Sequence, residues 1–375
     1  MKKLLSATLF LSIFTTVNLA QAYDLPATGM SAENIEALIR SGTLTEAQEN
    51  QLIDYLESSD EEPTGPIGEL DTQAIEAYRA YKNDRDLKEP WNDIAGEVGT
   101  LRKLQDDSVE QIIGKGQWAF DFVFVDKKGK RTQLAAYNIH EAVKPASTLK
   151  IFTAWAAFRR GTYPLGTMGH MLKWSSNIEA DAALKSVADK ERSFVVPKNH
   201  YVNSLVGYYM TMKGRKYTID AKIAKGCAIL QKDYVGLVDG NKFHPVNGSG
   251  LQQSSKDKLI HENKVTARLQ TGLLYSILNS GKYNTFKNLL ARPGGDGTLR
   301  RNFRTLSKTA KIYAKTGTLG NSKSLAGFVE LENGTLLFSV IGNDLKGVGS
   351  PSEALAGEIE NVIYLNSVHA ANKIK

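Results

Sequence analysis

The chain has 375 residues, 42% of them hydrophobic, and a formal net charge of +7. That is enough apolar material for one large domain or two modest ones, and it excludes an intrinsically disordered chain. A single cysteine, Cys227, excludes an internal disulfide and a thiolate zinc cluster and reads as a small buried hydrophobe, while the six histidines contain no HExxH and no helical pair, so no metal or other cofactor is expected.

In chain order, Lys2 and Lys3 precede an uncharged apolar run from Leu4 to Leu19, and Ala20-Gln21-Ala22 offers an A-x-A cleavage site. Residues 1–22 therefore read as a secretory signal, with a mature start near Tyr23 and delivery to the periplasm. No later run approaches the roughly 18 apolar residues of a spanning helix, and no cysteine follows the cleavage site to take a lipid. A soluble exported protein, with no transmembrane span once the signal is removed, is the expectation.

Charge then divides the chain. Residues 23–110 hold 21 acidic and 7 basic side chains, and residues 111–375 hold 19 acidic and 38 basic ones. The second part suits an anionic polymer or surface, although plain solubility accounts for the excess as well. Nucleic acid is excluded as a partner by the export signal and by the lack of an Arg/Lys motif interleaved with aromatics. The acidic part, taken as residues 23–99, reads as helical, with a capping box at Thr45 and Gln48, a linker near 58–70 and a third helix from Thr72 to about Asp84. It carries no catalytic grouping.

A helix over LRKLQDDSVEQII leads into the strand WAFDFVFV, which turns at DKKGK into RTQLAAY. The span from about 145 to 310 reads as mostly helical, with TARLQTGLLYSIL its clearest member. Strands return with KIYAKTGTL and with SLAGFVELENGTLLFSVIGND, a hairpin expected to turn at Asn333-Gly334. The apolar stripe Leu355, Ile359, Val362, Ile363 and Val368 predicts a last helix, Ser352 to Ala371, packed on the preceding sheet.

Three short elements carry the chemistry. In KPASTLKIFTAW, Ser147 and Lys150 stand at i and i+3, on one helix face, and Pro145 predicts a helix start whose positive end lies near the serine. A neutral lysine there takes the hydroxyl proton, so the serine needs no histidine. The spacing alone is weak, and Ser255-Lys256-Asp257-Lys258 repeats it in a polar stretch. Ser175-Ser176-Asn177 enters a helix, where Ser175 relays a proton to a leaving group and the Asn177 amide holds Lys150 and a substrate carbonyl; helix capping is the plainer reading. Lys315-Thr316-Gly317 lies within a strand. Lys315 offers charge for a substrate carboxylate and lowers the proton affinity of Lys150, Thr316 hydrogen-bonds the carboxylate, and Gly317 lets an extended peptide lie along the strand, although Gly and Thr also simply end edge strands. In this order and in these settings, the three triplets outweigh their separate structural readings.

Together with NGSGL at 247–251, VTARLQTGLL at 265–274, GGDGTLRRNF at 294–303 and LAGFVELENGTLLFSV at 325–340, they mark a resemblance to the penicillin-recognising serine enzymes. Within these the chain resembles the D-alanyl-D-alanine carboxypeptidase/endopeptidase family that normally carries large inserted domains, over about residues 100–375. The resemblance implies an α+β fold of the penicillin-binding and β-lactamase kind: an antiparallel sheet flanked by helices plus a helical subdomain, with the active site in the cleft between. It also implies that Ser147 is acylated by the penultimate D-alanine carbonyl, that Lys150 is the base, and that Ser175 passes the proton while Asn177 orients it. Lys315 and Thr316 would bind the carboxylate, Gly317 and Thr318 would line the substrate edge, and the N–H groups of Ser147 and Thr318 would form the oxyanion hole. Implied partners are peptidoglycan and, as covalent inhibitors, β-lactam antibiotics.

There are departures from the family. Only 28 positions separate Ser147 from Ser175, where the family places its inserts. Asn247 stands where an aspartate is usual and Gln252 where a serine is usual. The expected activity is a serine DD-peptidase, carboxypeptidase or endopeptidase. A β-lactamase is the enzymatic alternative, but neither the deacylating glutamate motif of one class nor the tyrosine of another in place of Ser175 is present. A wall-binding protein that has kept only the cleft is the non-enzymatic alternative.

Overall fold

The computed structural model describes residues 116–212, 215–235, 242–254, 260–303, 307 and 310–345. All lie in the second of two units, Pro63–Lys375. The signal, the acidic helices with their linker, the helix expected before residue 116, the Ser255 repeat and the last helix fall outside the described residues.

Two strands open the described part, β1 (Gln117–Asp126) and β2 (Arg131–Tyr137). Asp126 Oδ1 accepts from the N–H groups of Lys128 and Lys130, and Gly129 takes φ +82°, so the turn closes as DKKGK predicts. Five helices follow: α1 (Lys150–Arg160), α2 (Leu165–Trp174), α3 (Asn177–Lys190), the single turn α4 (Val202–Leu205) and α5 (Ala221–Val235). After them come α6 (Ala267–Asn279) and the short α7 (Tyr283–Lys287), then β7 (Lys311–Leu319), β8 (Ser322–Leu331) and β9 (Gly334–Asn343).

The middle is not helical throughout. Short strands β3 (Tyr209–Met212), β4 (Arg215–Thr218), β5 (Gln253–Ser254) and β6 (Ile260–His261) form a small antiparallel sheet in the order β4-β3-β5-β6. Segments of two to four residues carry too little alternation to stand out in a sequence.

The main sheet is antiparallel in the order β2-β1-β9-β8-β7, which leaves β7, the strand of Lys315-Thr316-Gly317, at an edge. Alternation along β1 divides the core. Ala119, Val123 and Val125 face a cluster shared with α1, α3, α5 and α6, whereas Trp118, Phe120, Phe122 and Phe124 face a second cluster with Ile312, Ala314 and Phe338. Asp121 is fully buried on the helical side, where it accepts from Thr271 Oγ1 of α6 at 2.5 Å.

The β8–β9 turn lies one residue earlier than expected: Glu332 and Asn333 form it, and Leu331 pairs with Gly334. Gly334 is thus a strand residue. A Cβ there would overlap the Val125 carbonyl of β1, so close strand packing, and not a left-handed turn, explains this glycine.

Candidate active site

Ser147 does not begin an α-helix. It lies in a 3₁₀ turn, Ala146–Leu149, that runs directly into α1, with Ala146 at φ +47°. Side chains three residues apart eclipse in a 3₁₀ turn, which brings Lys150 Nζ to 2.8 Å from Ser147 Oγ. The turn is held from several directions. Ser324 Oγ of β8 donates to the Pro145 carbonyl at 2.5 Å, and the Asn343 side chain of β9 bonds both the N–H and the C=O of Lys144. Gln270 of α6, fully buried, donates to the Thr148 carbonyl at 3.2 Å and accepts from Ser339 Oγ at 2.8 Å. Ser147 is therefore fixed to two strands and a helix before any substrate arrives.

Lys150 is fully buried and donates to Ser147 Oγ, to Asn177 Oδ1 at 2.7 Å and to the Ser249 carbonyl at 3.0 Å. Burial pulls its proton affinity down to a pKa of about 7, against the opposing charges of Asp181 and Glu179. Burial, rather than the neighbouring Lys315, is what fits this lysine to act as a base near neutral pH.

The second triplet has both of its expected settings. Ser175 ends α2 in the left-handed region at φ +68°, and Ser176 caps α3, accepting from the Glu179 N–H. Capping thus falls to Ser176, which leaves Ser175 Oγ to accept from Lys315 Nζ at 2.8 Å. The buried Glu179 carboxylate meets His170 Nδ1 of α2 at 2.9 Å and so ties the helices on either side of the triplet. Asn177 Oδ1 accepts from Lys150.

Lys315 is fully buried and also donates to the Thr316 carbonyl at 2.7 Å. Burial first, and the charge of Lys150 second, push its pKa well down. The like-charge coupling expected from the sequence is present, but it falls mainly on Lys315. Thr316 Oγ1 donates to Thr298 Oγ1 at 2.7 Å, and the Thr298 N–H bonds the Lys173 carbonyl of α2, so the 291–303 loop spans from β7 to the Ser175 side. At Gly317, a Cβ would overlap Ser324 Oγ and come within 3.0 Å of Pro145 O and Ser147 N. Glycine is required there so that β7 can close on the nucleophile turn. The Ala314 N–H leaves the sheet to bond Ala291 O, so with a period of two the N–H groups of Thr316 and Thr318 also point to the free edge, as the oxyanion role of Thr318 requires.

The residues missed by sequence reasoning lie around Asn247. Its Oδ1 accepts from the N–H groups of Ser249 and Gly250, at 3.0 and 2.8 Å, and its Nδ2 donates to Leu251 O at 2.8 Å. This loop presents the Ser249 carbonyl to Lys150. Gly248 N–H in turn donates to Asp181, whose carboxyl is pushed up to about 6 by burial. The departure from aspartate is explained by this geometry, because the amide supplies a donor that a carboxylate lacks. Asn247→Asp is expected to lower stability by about 1–3 kcal/mol, read from the chemical denaturation midpoint at pH 7.5, since Leu251 O would then face an acceptor. Gln252 donates to Glu262, which also pairs with Lys144 at 3.1 Å. Thr298 had a signal in GGDGTLRRNF, whereas Asp181 and the His170–Glu179 pair had none. Cys227 is buried in the core among the helices, as expected.

Residues 237–358 match the model of the D-Ala-D-Ala carboxypeptidase 3 (S13) family. No curated protein matches the chain. Among solved structures, penicillin binding protein 4 from Haemophilus influenzae is similar over 53% of this chain and 38% of its own, at 19% identity and TM-score 0.38. A D-alanyl-D-alanine carboxypeptidase from Mycobacterium tuberculosis H37Rv is similar over 68% of this chain and 91% of its own, at 16% identity and TM-score 0.40. A β-lactamase from Sphaerobacter thermophilus is similar over 71% and 97%, at 14% identity and TM-score 0.40. The matched segment takes in the Asn247 loop, α6 and the Lys315-Thr316-Gly317 strand.

Proposed function

We propose that the protein is a periplasmic serine DD-peptidase that acts on peptidoglycan stem peptides and their cross-links and is acylated by penicillin. The observation that carries this reading is the contact of Lys150 Nζ with Ser147 Oγ at 2.8 Å, made by a lysine whose pKa burial has lowered to about 7. Neutral Lys150 takes the Ser147 proton as Oγ attacks the penultimate D-alanine carbonyl. The oxyanion then forms opposite the N–H groups of Ser147 and Thr318. Collapse breaks the peptide C–N bond, and the proton that Lys150 took passes through Ser175, which Lys315 holds at 2.8 Å, to the departing amine, leaving Lys150 neutral. Water, deprotonated by Lys150, attacks the ester, expels Ser147 Oγ and frees the shortened peptide.

Two features support work on cross-links as well as on free ends. α1 leads through Gly161 at φ +59° into α2 with no domain between Ser147 and Ser175, which favours a bulky leaving strand. Residues 111–375 also carry the basic excess that suits an anionic wall. The signal-like residues 1–22 support export to the periplasm. Penicillin acylation is supported by the match of residues 237–358 to the D-Ala-D-Ala carboxypeptidase 3 (S13) family.

The test is intact mass after mixing with benzylpenicillin, followed over minutes to hours, with digestion of purified muropeptides in parallel. A lasting adduct of one penicillin, absent in Ser147→Ala, and loss of terminal D-alanine are expected. Rapid penicillin hydrolysis with no lasting adduct would transfer the chain to the β-lactamases, and neither adduct nor hydrolysis would make it a binding protein.

A further inference from the structure

Lys323 lies opposite Thr318 in the β7–β8 pairing, with its side chain only 7% exposed. Its ammonium donates to Thr318 Oγ1 at 2.8 Å, and no acidic partner of Lys323 occurs among the described residues. A hydroxyl that accepts from an ammonium must place its own proton elsewhere. Thr318 is exposed on the free edge of β7, two residues beyond Thr316. The other groups along this edge are already engaged: Thr316 Oγ1 is bonded to Thr298, and Lys315 Nζ serves Ser175 and the Thr316 carbonyl.

We propose that Lys323 is a specificity-determining positioning residue whose ammonium, acting through Thr318, turns the Thr318 O–H outward as a charge-backed donor for the terminal carboxylate of the substrate. The inference rests on the DD-peptidase reading of the same cleft. It places a second cation behind the substrate edge, one strand away from Lys315, where no triplet of the sequence announces it. Burial lowers the proton affinity of Lys323, and an arriving carboxylate restores it, so charge at this position is best satisfied when substrate is bound.

The full chain, Lys323→Met, Lys323→Arg, Thr318→Val and the Lys323→Met/Thr318→Val double variant are compared on an acylated tripeptide ending in D-Ala-D-Ala and on its C-terminal amide. Lys323→Met is expected to raise KM for the free acid about tenfold, with kcat within about twofold, and to leave the amide unchanged. Lys323→Arg restores most of the difference, and the double variant is no worse than Thr318→Val alone. Equal effects on acid and amide, or no effect on either, would overturn the role of Lys323 while leaving the peptidase reading intact. Failure of the unmodified chain to cleave the acid would overturn both. Should Lys323→Met melt more than a few degrees below the parent, Lys323→Gln answers the same question, with the same acid-against-amide comparison deciding it.

Discussion

Lys150→Ala slows acylation of Ser147 by benzylpenicillin by a factor on the order of 10² to 10⁴, the range that a positioned general base supplies. In the unmodified protein the acylation rate rises about tenfold per pH unit below about 7 and levels off above it, because only the neutral amine accepts the Ser147 proton. Lys150→Arg keeps the charge at every accessible pH and is expected to be as slow as the alanine variant. Stability follows the same group. The folded pKa of about 7 lies below the unfolded value of 10.5, so between these limits the unfolded chain binds more protons, and stability contributed by this site rises with pH. The cost of burying Lys150 is present in full below about 7 and disappears above 10.5. A Lys150→Met variant therefore shows a shallower rise of melting temperature from pH 7 to 10 than the parent. Stopped-flow acylation over pH 5 to 9 and melting over pH 6 to 10 check the two halves; a flat rate profile would remove Lys150 from the role of base.

Gly250→Ala lowers stability by about 3 to 5 kcal/mol, the upper end for a single substitution. Two strains combine at this position. Gly250 has φ +84°, which a side chain resists, and a Cβ would overlap the Ala146 carbonyl of the nucleophile turn. Both partners are backbone, so no side chain can swing aside. The loop that must shift also carries the Ser249 carbonyl bonded to Lys150, and acylation by penicillin is expected to fall at least tenfold even at a temperature where the variant stays folded. Gly129→Ala is the fitting control: it shares a positive φ of +82° but meets nothing within 4 Å and lies in the β1–β2 turn. It should cost only about 1 kcal/mol and leave acylation unchanged. Thermal melting with the penicillin-binding rate separates the two cases.

Ser147, Lys150, Ser175, Asn177, Lys315 and Thr316 could be named from the sequence because their spacing and setting are local: a proline-led turn into an apolar helix, a polar triplet opening a helix, a lysine within a strand. The same locality made β1, β2, β7, α6 and the β8–β9 hairpin legible, since each carries its own period or turn residues. The β8–β9 turn was misplaced by one residue because Gly334 answers to Val125 across the sheet, a constraint that lies outside its own hairpin. The small sheet of β3 to β6 escaped because its strands are only two to four residues long, and because the pairing of Tyr209 with Ser254 joins residues far apart in the chain.

At the site, the sequence by itself determined which residue types are present and in what order. Tertiary structure decided their electrical state and their company. Lys150 has a pKa of about 7 because the fold buries it, and no stretch of twelve residues encodes burial. Asn247, conspicuous in the sequence only as a departure, becomes the centre of a hydrogen-bonded loop because Asn263, Leu251 and Ser249 converge on it. Lys323 lies eight residues beyond Lys315, a spacing without meaning in one dimension; antiparallel pairing of β7 with β8 sets it opposite Thr318, and that register puts a second cation behind the free edge of β7.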